Sequence, residues 1–144
     1  MKRIVFILSV FLSCQLFAEV RMPELKWSVS YSADKQLSQG KEIPAIVPGA
    51  VQLDIARAEN YPPYVFNDNY KQYGWMEDMY YTYKTQFKKP VLSSSERLYF
   101  VSKGIDYQFE IYLNGEKLFY QEGMFTYINL DLTDKLQPDN SLQI

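Results

Sequence analysis

Apolar and polar residues alternate most cleanly between Leu98 and Leu118. Tyr107, Phe109, Ile111 and Leu113 are interleaved with Gln108, Glu110, Tyr112 and Asn114. A strand sends successive side chains to opposite faces, so this pattern predicts one apolar and one polar face. Asn114-Gly115 follows directly. Both residues tolerate positive φ, the strongest short-range signal for a hairpin. Upstream, Leu98, Phe100 and Val101 predict another strand, joined through Gly104-Ile105-Asp106. The expectation is three strands in about 25 residues that seed one antiparallel sheet.

The rest of the chain is built of similar short pieces. Trp27 to Tyr31 alternates and predicts the first strand, and Lys35 to Lys41 is a polar loop. Ile43 to Val47 predicts a short strand ended by Pro48-Gly49. Val51, Ile55 and Ala58 recur at helical spacing, with Asp54 and Arg57 on the other side. That predicts one short helix, stopped by Asn60 and Pro62-Pro63, lying as a lid over one end of the core. Tyr61 to Glu77 is expected to be a long aromatic loop. Tyr81, Tyr83, Thr85 and Phe87 predict a strand closed by Pro90, and Ile128, Leu130 and Leu132 another. Pro138-Asp139-Asn140 is read as a turn, after which Leu142 and Ile144 begin a strand. About eight short strands with frequent turns point to an all-β jelly-roll sandwich with one short helix. Ile144 falls in mid-strand, so the sandwich is expected to be incomplete at its C-terminus.

Composition narrows the chemistry. The 144 residues suffice for one domain with a core, and 47% hydrophobic with 22% charged residues is globular composition. Histidine is absent, which removes the commonest general base and metal ligand. The thirteen tyrosines suit half-buried strands and surfaces that face sugars or partners. A net charge of −2 without a basic run argues against nucleic-acid binding.

The first residues predict export. Lys2-Arg3 precedes an apolar stretch from Ile4 to Phe17, too short to span a bilayer comfortably. The first reading is a signal peptide over residues 1–18, removed after Ala18, leaving a domain over 19–144. The second is lipid attachment at Cys14, since Leu12-Ser13-Cys14 resembles a bacterial lipoprotein box. Cys14 is the only cysteine, so no disulfide framework, cysteine nucleophile or cysteine metal site is expected in the mature domain.

The order of several blocks carries a resemblance. Trp27 is followed by Val47-Pro48-Gly49-Ala50-Val51, then by the Pro-Tyr stretch with Phe66-Asn67-Asp68, then by Trp75 and the aromatic strand ending at Phe87. Gly104-Ile105-Asp106, Leu113-Asn114-Gly115, Gly123-Met124-Phe125, Asp131-Leu132-Thr133 and Asn140-Ser141-Leu142 come next. From about Trp27 to Ile144 this series resembles the amino-terminal domain of β-mannosidases of glycoside hydrolase family two. The resemblance implies a galactose-binding-like jelly roll leading a multidomain enzyme, with the later domains of the same polypeptide and a glycan as partners. That enzyme would release terminal β-linked mannose with retention, through two carboxyl groups about 5–5.5 Å apart in a later barrel. Neither family glutamate motif nor the Gly-Trp-Asp-Trp block stands in this chain. No catalytic residue, cofactor or metal ligand is therefore carried over. Two positions depart from the family: Tyr80-Tyr81 stand where a Trp usually precedes the strand tyrosine, and Thr126 rather than Arg follows Phe125. These departures leave the glycan open, because family-two galactosidases and glucuronidases share the domain type.

Three residues are candidates for proximity to substrate. Asn67 and Asp68 offer an amide and a carboxylate suited to sugar hydroxyls, or an Asx-turn that orders their loop. Trp75 offers a stacking face, or a lid over the core. Tyr64, Tyr70 and Tyr73 share that ambiguity. Asp106 is expected to receive backbone N–H groups, and Glu110 to be solvated or to face another domain. Asp54 has no visible partner, and Asn114 and Asn140 are read as turn residues. A free-standing carbohydrate-binding or adhesion module is the alternative reading, since jelly rolls host many functions.

Overall fold

A computed structural model describes residues 24–35 and 40–144. The predicted signal segment, Cys14 and residues 36–39 of the polar loop lie outside the described residues. The strands in chain order are β1 (Trp27–Ser32), β2 (Glu42–Ala45), β3 (Tyr80–Lys88), β4 (Tyr99–Ser102), β5 (Gln108–Leu113), β6 (Glu116–Glu122), β7 (Ile128–Asp131) and β8 (Asp139–Gln143). One helix, α1 (Val51–Glu59), and a 3-10 stretch, Asn69–Asp78, separate β2 from β3. The fold is the expected all-β sandwich. Six strands form one sheet in the order β2-β1-β3-β8-β5-β6, and β4 pairs with β7 alone. Every pairing is antiparallel.

The large sheet buries one face, covered by different material on its two halves. Along β3, Tyr81, Tyr83, Thr85 and Phe87 share that face by alternation. Phe87 joins a cluster made by Phe109, Ile111, Leu113 and Leu142 of the large sheet with Ile128 and Leu132 opposite. Tyr81 and Tyr83 join a second cluster, in which Val29 and Ile43 meet Ile55 of α1 and Met76 of the 3-10 stretch. The helix thus acts as the predicted lid, with Ile55 fully buried.

The β5–β6 hairpin forms as its sequence predicts. Asn114 (φ 53°) and Gly115 (φ 84°) both take left-handed backbone, the requirement for a two-residue turn matched to strand twist. The register shifts between Ile111 and Tyr112, and in this stretch Leu118 and Phe119 both pack against the first cluster. A bulge permits two consecutive residues to do so.

Several expectations need correction. The strand β4 does not seed the same sheet as β5 and β6; it crosses to the opposite layer and pairs with β7. Gly104 makes that crossing close, since a Cβ there would lie 2.2 Å from the Met124 carbonyl oxygen. Ser102 Oγ, not Asp106, serves this turn, accepting from Gly104 N and donating to its carbonyl, each at 3.2 Å. Asp106 is exposed. Tyr107 lies outside the strand and is also exposed; its hydroxyl donates to Glu122.

Asn140 belongs to β8, not to a turn, and is buried. Its Oδ1 accepts from Gln137 N at 2.9 Å and from Asn114 Nδ2 at 3.0 Å, and its Nδ2 donates to the Gln137 carbonyl at 2.7 Å. Asn114 Oδ1 accepts from Ser141 N at 2.9 Å. The two amides clamp the hairpin tip to the strand beside it, satisfying polar groups whose burial would otherwise be costly.

Candidate functional site

The segment between α1 and β3 is not one long irregular loop. A short turn region leads into the 3-10 stretch, and several anchors fix it. Tyr73 donates its hydroxyl to the Pro62 carbonyl at 2.8 Å, Asn69 Nδ2 donates to the Pro63 carbonyl at 2.8 Å, and Tyr81 donates to the Met76 carbonyl at 2.6 Å. The Tyr73 ring meets Tyr61 edge-on at 5.5 Å and Tyr64 at 6.0 Å. Met76, 1% exposed, plugs the segment into the second cluster. Above these anchors is an exposed tip, where Tyr64, Val65, Phe66 and Tyr70 are each more than half exposed.

The structure places the three candidate residues in two settings. Asn67 and Asp68 stand on the tip and are exposed. Asn67 has φ 48°, a conformation that asparagine tolerates better than most residues, which accounts for a turn-forming role. Asp68 pairs with Lys71 at 2.6 Å, and its carbonyl accepts from Lys71 N at 3.1 Å. Trp75 leans on β1, its ring 5.5 Å from that of Tyr31, and remains 39% exposed. It is part lid and part free surface.

Asp54 is the residue that sequence reasoning misplaced. It is 1% exposed rather than solvated on the outer side of the helix. Its Oδ1 accepts from the Arg57 guanidinium and from Ile46 N at 3.2 Å. Its Oδ2 is buried without a hydrogen-bond partner. Burial, followed by this carboxylate, pushes the Tyr83 hydroxyl far above its ordinary range. Burial pushes Tyr81 up to about 12, with Tyr31 adding to the shift. Both tyrosines are therefore neutral hydroxyls at physiological pH. Only an Asp three residues before an Arg hinted at this pair, a spacing that on most helices marks an exposed ion pair.

Beside this pair lies a shallow groove of about 510 Å³ between α1 and the aromatic segment. Arg57, Asn60, Tyr61, Tyr64 and Tyr73 are among its lining residues. On the outer face of the large sheet, Glu110 receives the Lys117 ammonium at 2.7 Å and the Tyr112 hydroxyl at 2.5 Å. These bonds lower its pKa to about 2, with Lys35 contributing from 3.7 Å. Of the two settings expected for Glu110, solvated or facing another domain, the first gives way to a bonded strut on the outer face. No three His, Cys, Asp or Glu residues among the described residues are grouped to hold a metal ion.

Six antiparallel strands facing a smaller layer, with this hairpin and helix lid, define a galactose-binding-like sandwich. A family profile described as glycosyl hydrolase 2 galactose-binding domain-like matches residues 27–144. The chain belongs to that family. Its similar proteins include β-mannosidase B of Aspergillus clavatus, 31% identical over 82% of this chain, and the β-mannosidase of Mus musculus, 32% identical over 81%. Among solved structures, the β-D-mannosidase of Dictyoglomus thermophilum superposes with a TM-score of 0.67 at 28% identity, over 82% of this chain. The match covers 14% of each of these proteins, so the chain spans a small part of the relatives' length.

Proposed function

We propose that this chain is the amino-terminal, non-catalytic sandwich of a β-mannosidase-like glycoside hydrolase. In this reading the remaining domains belong to the same polypeptide, and the complete enzyme hydrolyses terminal β-mannosyl residues of glycans with retention. The sandwich packs beside the catalytic domain and lends the tip around Asn67 and Asp68 to the rim of its pocket. The observation that carries this reading is the tip itself. It exposes apolar and aromatic side chains next to an amide and a carboxylate, on a base fixed by Tyr73, Asn69 and Met76. Such a surface suits a neighbour that holds sugar, because rings contact the sugar face while polar groups contact hydroxyls. The relatives named above are β-mannosidases, which supports mannose as the sugar.

Incubation of the purified chain with chromogenic β-mannoside, β-galactoside and β-glucuronide tests the non-catalytic role. No release of chromophore above blank is expected, and turnover of any of the three refutes that role. In the polypeptide that carries the catalytic domain, Asn67→Gly, which removes the amide but accepts the left-handed backbone, should raise KM while leaving the thermal midpoint nearly unchanged. The exposed tip would equally serve a free-standing carbohydrate-binding or adhesion module, which is the second reading. We propose further that residues 1–18 direct export, as a cleaved signal or, in second place, through lipid attachment at Cys14. The first residue of the exported chain separates the two: Glu19 after cleavage at Ala18, a modified Cys14 after lipid attachment.

A further inference from the structure

We propose that the groove between α1 and the aromatic segment is a second glycan subsite, sharing Tyr64 and Val65 with the tip, that takes a neutral oligosaccharide. The proposal rests on the glycan-handling role above and adds a location, a ligand charge and a set of contacts to it.

The lining supplies both kinds of contact that a sugar needs. Tyr61, Tyr64 and Tyr73 form a connected ring cluster along one wall, Tyr73 meeting each of the others edge-on. Tyr73 is held in place by its bond to Pro62, and Tyr64 remains 52% exposed. A pyranose presents C–H groups to such rings and hydroxyls around its edge. Arg57 and Asn60 supply polar groups to the same groove. Asn60 ends α1 in the left-handed conformation (φ 57°) and is exposed there.

Asp54 makes this arrangement selective. It is fully buried and binds the lining residue Arg57 through one oxygen. A guanidinium carries five donors in a rigid plane. Its one bond to Asp54 tethers the group through a single terminal nitrogen and leaves the other donors for vicinal hydroxyls. The same bond cancels the charge. Arg57 is the one charged residue among those lining the groove, and its counter-ion is already in place. An anionic ligand gains little from a guanidinium that is already paired, whereas a neutral polyol loses nothing. The groove over the Asn114–Asn140 clamp differs, because Asn114 and Asn140 are spent on internal bonds and Phe87 is its one aromatic residue.

The test is titration of the full chain with a linear β-1,4-manno-oligosaccharide, followed by backbone amide NMR. Saturable shifts confined to α1, residues 60–65 and Tyr73 are expected. Tyr64→Ala, at an exposed position, should weaken binding roughly tenfold. Arg57→Lys keeps the charge but loses the planar fork, and should weaken binding several-fold in protein whose amide spectrum remains that of the folded chain. Tyr120→Ala, exposed on β6 at the far edge of the large sheet, should bind as the parent chain does. The proposal is overturned by absence of saturable shifts, by shifts centred on residues 66–70, or by parental affinity in Tyr64→Ala. Tighter binding of a sulfated oligosaccharide of equal length also overturns it. None of these failures touches the proposed role in a larger hydrolase, which is read by turnover and by Asn67.

Discussion

The two halves of the large sheet are closed by different chemistry. Under β5 and β8 the core is hydrocarbon: Phe109, Ile111, Leu113 and Leu142 face Ile128 and Leu132 of the opposite layer. Under β1 and β2 the core is mixed. Ile55 and Met76 are flanked by Tyr31, Tyr61, Tyr73, Tyr81 and Tyr83, and Asp54 is buried among them. The first half gains stability from apolar burial, which is non-directional. The second orients its parts through hydrogen bonds at fixed positions, which suits a surface that must present particular groups. The half with candidate binding surfaces is thus the half whose core is lined by tyrosines and a buried carboxylate.

Substitutions can break this contrast. The largest loss of stability is expected from Ile111→Ala, at 0% exposure in the hydrocarbon half. Loss of its transfer energy plus a residual cavity should cost about 3 kcal/mol, read from the midpoint of urea unfolding. Asp54→Ala should cost about 2 kcal/mol, because it strips Ile46 N and Arg57 of their acceptor while Arg57 can turn to water. Asp54→Asn should recover part of that loss, since an amide oxygen can still accept from Ile46. If Asp54→Ala were neutral, the mixed half would owe nothing to its buried polar contacts and the comparison would fail.

The smallest effect belongs to the outer face. Glu110→Gln should cost about 1 kcal/mol near neutral pH. The folded carboxyl has a pKa lowered from 4.5 to about 2, so it binds its proton less readily than the unfolded one. Its contribution is therefore complete above about pH 4.5 and is lost as pH falls toward about 2. The stability curves of parent and variant should converge over that acid window. Parallel curves would show that the Lys117 and Tyr112 bonds do not hold the carboxylate.

The hydrocarbon half was the more legible in sequence for the same reason. Alternation at Phe109, Ile111 and Leu113 announces a strand, a buried face and, with Asn114-Gly115, a turn, all from local pattern. That β4 leaves this unit for the other layer is a matter of long-range pairing, and no local pattern encodes it. The helix was legible from Val51, Ile55 and Ala58. The burial of Asp54 was not, because hydropathy places a carboxylate outside and only the neighbouring Ile46 N and Arg57 reverse that preference. Asn140 was hidden similarly: after Pro138-Asp139 an asparagine reads as a turn, and the partner that draws it inward, Asn114, is 26 residues away. At the candidate site, the aromatic richness of residues 61–77 was visible, but its division into anchored base and free tip depended on tertiary contacts.

The position of β8 bears on how such a chain is made. It is the last described strand to leave the ribosome, yet it lies in the middle of the large sheet, bonded to β3 on one side and β5 on the other. Until residues 139–143 emerge, the nascent polypeptide holds two strand groups with open inner margins and nothing to join them. Both margins are then templates for pairing with another molecule. Vectorial synthesis thus leaves these two strand groups sticky until β8 is in place.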